Sequence, residues 1–167
     1  GIGAALSIYD TTLCFVTAHL QASQAEIQAR NANFGQIVES LDLGRKELDI
    51  LNQFDHVWFF GDLNYRVDLP EKVFFDDPVS SLLATSCSSD DGAESGEASF
   101  IRKRELLRTM RDSDQLDAER AAGRAFWGFE EAPHFDFAPT YRFERERKAG
   151  RRSYTPNRTP SWCDRIL

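Results

Sequence analysis

Apolar residues dominate "AALSIYDTTLCFVTAHL" (residues 4–20) on both sides of a polar break at Asp10 and Thr11. That pattern predicts two short strands around a turn at Asp10–Thr11. Leu13, Phe15 and Thr17 share one face of the second strand, and His19 sits at its C-terminal end. The period then changes. Ser23 followed three residues later by Glu26 is a capping-box pattern for a helix start. Ile27, Phe34, Ile37, Val38 and Leu41 fall on one helical face, and Gly44 is placed to close the helix. A helical stretch or loop leads to "HVWFFGDLNYR" (56–66), where Val57 to Phe60 form the unbroken apolar run of a buried strand. Gly61 breaks that run, and Asp62, Asn64 and Arg66 follow at alternate positions.

Farther on, "PEKVFFDDPVSSLLAT" (70–85) reads as helix with a break before Pro78. Residues 85–99 carry five Ser, two Gly and four acids with almost nothing apolar, the composition of a flexible acidic surface insertion. Helical periodicity resumes at Ile101, Leu106, Leu107 and Met110, and again across 114–124. Pro133, Pro139, Pro156 and Pro160 mark an irregular segment before a last strand near Cys163–Leu167. Strands alternating with helices predict one layered α/β domain over residues 1–167.

Composition narrows the class. Hydrophobic residues make up 41% of the chain and include thirteen Phe, enough for a packed core. No apolar run approaches the roughly 20 residues of a membrane span. The chain opens without Met or a basic leader and stops directly after a dense motif, as expected of a piece of a longer protein. Three widely spaced cysteines, without metal-ligand spacing, argue against a zinc site and for a reducing, cytoplasmic compartment. The net charge of −7 is uneven: residues 142–165 carry +5, leaving −12 elsewhere. Such a chain suits non-specific nucleic-acid binding poorly, and no nucleic-acid partner is expected. The basic segment can hold a compact, multiply charged anion, or can simply be a solvated loop.

Asp62 and Asn64 follow a strand end, where α/β proteins gather their sites. Two residues apart, they project to one side of an extended segment. A carboxylate can take a proton from water or hold a metal, and an amide can donate to a phosphate oxygen without adding negative charge. His19, at another strand end, supplies a further donor. This set suits attack on an anionic ester, usually with a divalent cation. An Asx-turn, in which these side chains satisfy their own backbone, accounts for "GDLN" equally well.

"PTYRF" (139–143) and "RTPSWCDRIL" (158–167), together with "WFFGDLNYR", resemble the inositol polyphosphate 5-phosphatase family. The resemblance extends in order over nearly the whole chain: "TAHLQASQAEIQARNANF" is similar to the family's segment from a strand-end histidine into an Arg/Asn-bearing helix. It implies the layered sandwich of DNase I-like nucleases, incomplete at both ends, and hydrolysis of a 5-phosphate monoester by direct attack of water, with Mg2+ as cofactor. By resemblance, Asp62 orients or deprotonates the water. Asn64 and His19 hold the scissile phosphate, and Asp164 orients a partner histidine. Tyr141 and Arg142 match the pair that contacts the neighbouring ring phosphate. Arg158 and Arg165 bracket "TPSWCD", where a guanidinium either forks onto phosphate or braces the loop. Arg66 is expected to be structural, and Trp162 to pack beneath the site.

The implied partner is a phosphoinositide lipid or a soluble inositol polyphosphate, with recruitment to membrane surfaces a further expectation. "PSWCDRIL" is most similar to the branch acting on 3,4,5-trisphosphorylated lipid. The family's magnesium-binding glutamate is expected before Gly1 and its catalytic Asp–His pair after Leu167. His56 and His134 stand in other contexts and read as bystanders. A basic residue expected near Pro156–Asn157 is replaced, with Arg151 or Arg152 as substitutes. Two rivals remain: a nuclease of the same superfamily, which leaves "PTYRF" without a role, and a catalytically silent phosphoinositide- or protein-binding module.

Overall fold

Among the described residues one four-stranded sheet, its strands hydrogen-bonded in chain order, organises the candidate site. The computed structural model describes residues 1–70, 74, 93–132, 137–145, 153–156 and 158–167. Strands β1 (Ile2–Ile8) and β2 (Thr11–His19) form an antiparallel hairpin closed by the Ile8–Thr11 pair. Its turn is Tyr9–Asp10, one residue earlier than the polar pattern suggests. Strand β3 (His56–Asp62) runs parallel to β2, and the short β4 (Asp164–Ile166) pairs antiparallel with β3.

The strand at 56 runs through Gly61 to Asp62 and does not break there. Gly61 has φ +132°, and a Cβ on it would lie 2.2 Å from the Ala18 carbonyl oxygen. Glycine is needed because the neighbouring backbone occupies the side-chain position.

Alternation along β2 yields two faces, and the covered one carries Cys14, Val16 and Ala18, with Leu13, Phe15 and Thr17 only half-covered. Helix α1 (Ile27–Ser40) presents Arg30, Phe34 and Val38 as its buried stripe. Phe34 packs on Phe126, with ring centroids 4.2 Å apart, and edge-on to Phe59 at 5.6 Å. On the half-covered face, Phe15 and Trp58 stack at 4.8 Å.

The expected capping box does not form. Glu26 is the N-cap residue and makes no side-chain capping bond. Arg30, fully buried, donates instead to the carbonyls of Gln21 (3.2 Å) and Ser23 (2.5 Å), so the chain wraps its guanidinium ahead of the helix. Gly44, at φ +68°, lies in the loop beyond the helix, which already turns extended at Leu41.

Helix α2 (Ala93–Asp112) takes in the second half of the segment read as a flexible insertion. Ala93, Glu94, Glu97 and Ala98 are good helix formers, and that local preference outweighs the segment's lack of apolar residues. Residues 85–92, and nearly all of the helix expected at 70–85, lie outside the described residues. Helix α3 (Gln115–Ala121) is capped by Asp114, whose Oδ1 accepts the Asp117 N–H at 3.1 Å.

The chain divides into two compact units. The first comprises Gly1–Tyr65, Ala118–Phe135 and Cys163–Leu167, and contains the sheet and α1. The second comprises Arg66–Asp117 and Asp136–Trp162 and contains α2. In the second unit, Trp162 is fully buried and donates its Nε1–H to the Phe137 carbonyl at 3.0 Å. Phe143 stacks on Tyr154 at 4.5 Å, and the Tyr154 hydroxyl donates to Pro139 at 2.8 Å.

Candidate functional site

Strand register brings three of the expected site residues into one row. His19 pairs with Asp62, and Asp62 pairs with Asp164, across β2, β3 and β4. Paired residues on adjacent strands point to the same face, and here that face is the less covered one. The His19 side chain is 72% exposed and that of Asp62 35%. His19 Nε2 lies 3.6 Å from Asp62 Oδ2. The Leu20 N–H donates to the Asp62 carbonyl at 3.0 Å, which fixes the two parallel strand ends against each other.

Asp62 and Asn64 do not lie side by side on an extended segment. Asn64 sits in the left-handed region at φ 57°, and its N–H donates to Asp62 Oδ1 at 3.2 Å. This is the Asx-turn of the two sequence readings: one carboxylate oxygen shapes the turn while the other lies beside His19. The turn carries Asn64 inward, where it is 2% exposed and its Nδ2 donates to the Leu20 carbonyl at 3.0 Å. In this structure Asn64 ties the residue after His19 to the turn after Asp62.

Alternation along β4 settles the two roles left open for Arg165. Asp164 and Ile166 face outward, and Arg165, paired with Gly61, lies on the covered face. Its side chain is fully buried and forks onto Glu131, Nε to Oε1 at 2.6 Å and Nη2 to Oε2 at 2.5 Å. Arg120 approaches the same carboxylate at 3.7 Å. The guanidinium therefore braces the fold, and the expectation that Arg165 binds substrate is corrected. Cys163, also buried, points its thiol at the Tyr65 carbonyl at 3.7 Å and is not placed as a nucleophile.

A polar network that the sequence pattern did not reveal joins Tyr65 to α1 and α3. The Tyr65 hydroxyl donates to Asn31 Oδ1 at 2.7 Å, and Asn31 Nδ2 donates to Glu119 Oε2 at 2.7 Å. Arg124 forks onto Glu119 at 2.7 and 2.8 Å, and Arg30 stands 4.9 Å over the Tyr65 ring. Burial pushes the Tyr65 hydroxyl well up, keeping it a neutral donor. Hydrogen bonds from Arg124, and then Asn31, hold the Glu119 carboxyl below its ordinary value of 4.5 against the opposing effect of burial. A depressed folded value adds stability above the ordinary one and loses it as pH falls through the depressed one. Urea denaturation should therefore show a stability gap between the native chain and Glu119→Gln at neutral pH, closing on acidification below the ordinary glutamate range. A gap independent of pH would contradict this.

Tyr141, Arg142 and Arg158 belong to the second unit. Arg142 and Arg158 are exposed and Tyr141 is half-buried. Tyr141 pairs with Ser161 through two backbone hydrogen bonds of 3.0 Å, which joins "PTYRF" to "PSWCD". Arg151, Arg152 and His134 lie outside the described residues, and His56 is exposed at the start of β3.

A cleft of about 720 Å³ opens in the first unit beside Ser7, Thr12, Arg45 and Phe54. Its lining contains no carboxylate or imidazole, and Thr12 is at the opposite end of β2 from His19, so it is not the reacting centre. Among the described residues, no group of three or more His, Cys, Asp or Glu side chains could hold a metal ion. Asp62 and Asp164 are oxygen donors suited to a hard cation, but these residues do not by themselves complete a cation cage.

Known proteins share the pattern. A family profile described as Endonuclease/Exonuclease/phosphatase family 2 matches residues 1–167. Phosphatidylinositol 3,4,5-trisphosphate 5-phosphatase 1 of Homo sapiens is 34% identical over 99% of this chain and 13% of its own length. Synaptojanin-2 of Rattus norvegicus is 28% identical over 99% of this chain and 9% of its own length. The chain thus spans only a small part of these relatives. A solved inositol polyphosphate 5-phosphatase domain of SPsynaptojanin, in complex with inositol (1,4)-bisphosphate and calcium, matches with TM-score 0.73 and 26% identity, covering 99% of this chain and 41% of that one. The chain belongs to endonuclease/exonuclease/phosphatase family 2.

Proposed function

We propose that the complete protein hydrolyses the 5-phosphate monoester of phosphoinositides or soluble inositol polyphosphates by direct attack of water. The observation that carries this reading is the His19–Asp62–Asp164 row, at adjacent strand ends of a chain similar to 5-phosphatases. Asp62, held by the Asx-turn, accepts the proton of the attacking water. The His19 imidazole, beside Asp62 Oδ2, donates to a phosphate oxygen as charge develops there. The water oxygen bonds to phosphorus as the bond to the ring oxygen breaks; the ring oxygen takes a proton from solvent and Asp62 returns its proton to solvent, giving inorganic phosphate and a free 5-hydroxyl. Exposed Arg142 and Arg158 supply guanidinium donors to ring phosphates.

A divalent cation, taken as magnesium, belongs to the same proposal for the complete protein; Asp164 would offer it an oxygen donor and it would supply charge stabilisation to the reacting phosphate. A cytoplasmic site of action at membrane surfaces is proposed with it. The names of the relatives favour 3,4,5-trisphosphorylated lipid as substrate.

Arg142→Ala tests the reading in the complete protein. Loss of a charge-assisted hydrogen bond, about 1.5–3 kcal/mol, should lower kcat/KM for inositol 4,5-bisphosphorylated substrate roughly 10- to 100-fold. An analogue lacking the 4-phosphate should be much less affected, because the guanidinium then has no partner to lose. Equal losses on both substrates would remove ring-phosphate recognition by Arg142, and efficient cleavage of duplex DNA would move the assignment to the nucleases.

A further inference from the structure

Arg66 closes the "GDLNYR" motif and belongs to the second unit. It is 6% exposed, and its guanidinium lies 3.6 Å from the centroid of the Tyr141 ring. At that separation a planar guanidinium rests in van der Waals contact with the aromatic face. The backbones on both sides are pinned. The Arg66 N–H donates to Gln115 Oε1 at 3.0 Å, and its carbonyl accepts the Gln115 N–H at 2.9 Å. Next along the chain, the Val67 N–H donates to Ser161 Oγ at 3.0 Å, and Ser161 is the backbone partner of Tyr141. Three motifs far apart in sequence therefore meet within the second unit at Arg66, Tyr141 and Ser161.

We propose that Arg66 is a positioning residue that sets the Tyr141 ring for contact with the phosphate neighbouring the one removed, an inference resting on the proposed function and on the role that the family resemblance implies for Tyr141. The stacked cation acts in two ways. It blocks tilting of the ring toward its own side, so the phenol oxygen keeps one direction. It also draws electron density from the ring and makes the phenol O–H a stronger donor to a phosphate oxygen. Lysine cannot reproduce this fully: its ammonium offers a point charge without the planar face.

The test uses the complete protein with soluble inositol phosphates that carry or lack the 4-phosphate. Arg66→Met should lower kcat/KM for the 4,5-bisphosphorylated compound by about 3- to 30-fold, the range of a cation–π contact. The loss should appear mainly in KM and be under about 2-fold for the compound lacking the 4-phosphate. Arg66→Lys should recover part of the loss. In a Tyr141→Phe background, where the hydroxyl is gone, Arg66→Met should add little. Equal losses on the two compounds, or full additivity with Tyr141→Phe, would overturn the proposal and leave Arg66 as ordinary packing. If Arg66→Met fails to fold, Arg66→Lys carries the same comparison. If the unmutated protein hydrolyses the 5-phosphate without regard to the 4-phosphate, the proposed role of Tyr141 fails first. If it hydrolyses neither compound, the phosphatase reading itself fails.

Discussion

Replacing Asp62 by Asn in the complete protein is expected to lower kcat by a factor of about 10²–10⁴, as for a lost general base, with KM little changed. The substitution suits this structure. An asparagine Oδ1 can still accept the Asn64 N–H that Asp62 Oδ1 now accepts at 3.2 Å, so the Asx-turn and the buried Asn64–Leu20 bond should survive. What disappears is the proton acceptor beside His19. Steady-state kinetics on a soluble 5-phosphate substrate, with circular dichroism to confirm folding, checks the outcome. Near-normal kcat would reduce Asp62 to a turn residue.

The second large effect concerns stability. Glu131→Ala should destabilise the first unit by about 3–5 kcal/mol, because it removes the carboxylate on which the fully buried Arg165 guanidinium forks. Arg120 loses the same partner. Glu130, the exposed neighbour in sequence, provides the control: Glu130→Ala should stay within about 0.5 kcal/mol. Urea denaturation of both variants decides it, and a loss at Glu131 below about 1 kcal/mol would return Arg165 to consideration as a phosphate ligand.

The sequence made the row partly legible. The polar break between two apolar runs located both hairpin strands, and a histidine and an aspartate at the ends of two apolar runs marked where β2 and β3 stop. It could not say which face of β2 is covered, because period-2 alternation is the same for either; Cys14, Val16 and Ala18 turned out to lie inside. The same ambiguity left Arg165 with two roles until its register opposite Gly61 was known. Its partner Glu131 lies 34 residues away along the chain, and no local spacing marks that pair. Ser23 and Glu26 match a capping box in sequence, but Ser23 sits at φ +91°, outside the geometry of an N-cap residue, and the helix starts only after Glu26. At Ala93–Ser99 the reverse occurred: overall composition suggested disorder, while Ala and Glu favoured helix residue by residue. Arg66 was read as structural, and its stacking on Tyr141 gives that role a specific object.

Hydrolysis in oxygen-18 water tests the central claim most directly. The complete protein is incubated with a 4,5-bisphosphorylated inositol compound in labelled water, the released phosphate is weighed by mass spectrometry, and the remaining ring phosphates are assigned by NMR. Water attack at phosphorus, with Asp62 as base, predicts one labelled oxygen in the inorganic phosphate, an unlabelled 5-hydroxyl, an intact 4-phosphate, and loss of the reaction in Asp62→Asn. Label in the ring hydroxyl, release of the 4-phosphate in place of the 5-phosphate, or no release at all would contradict it.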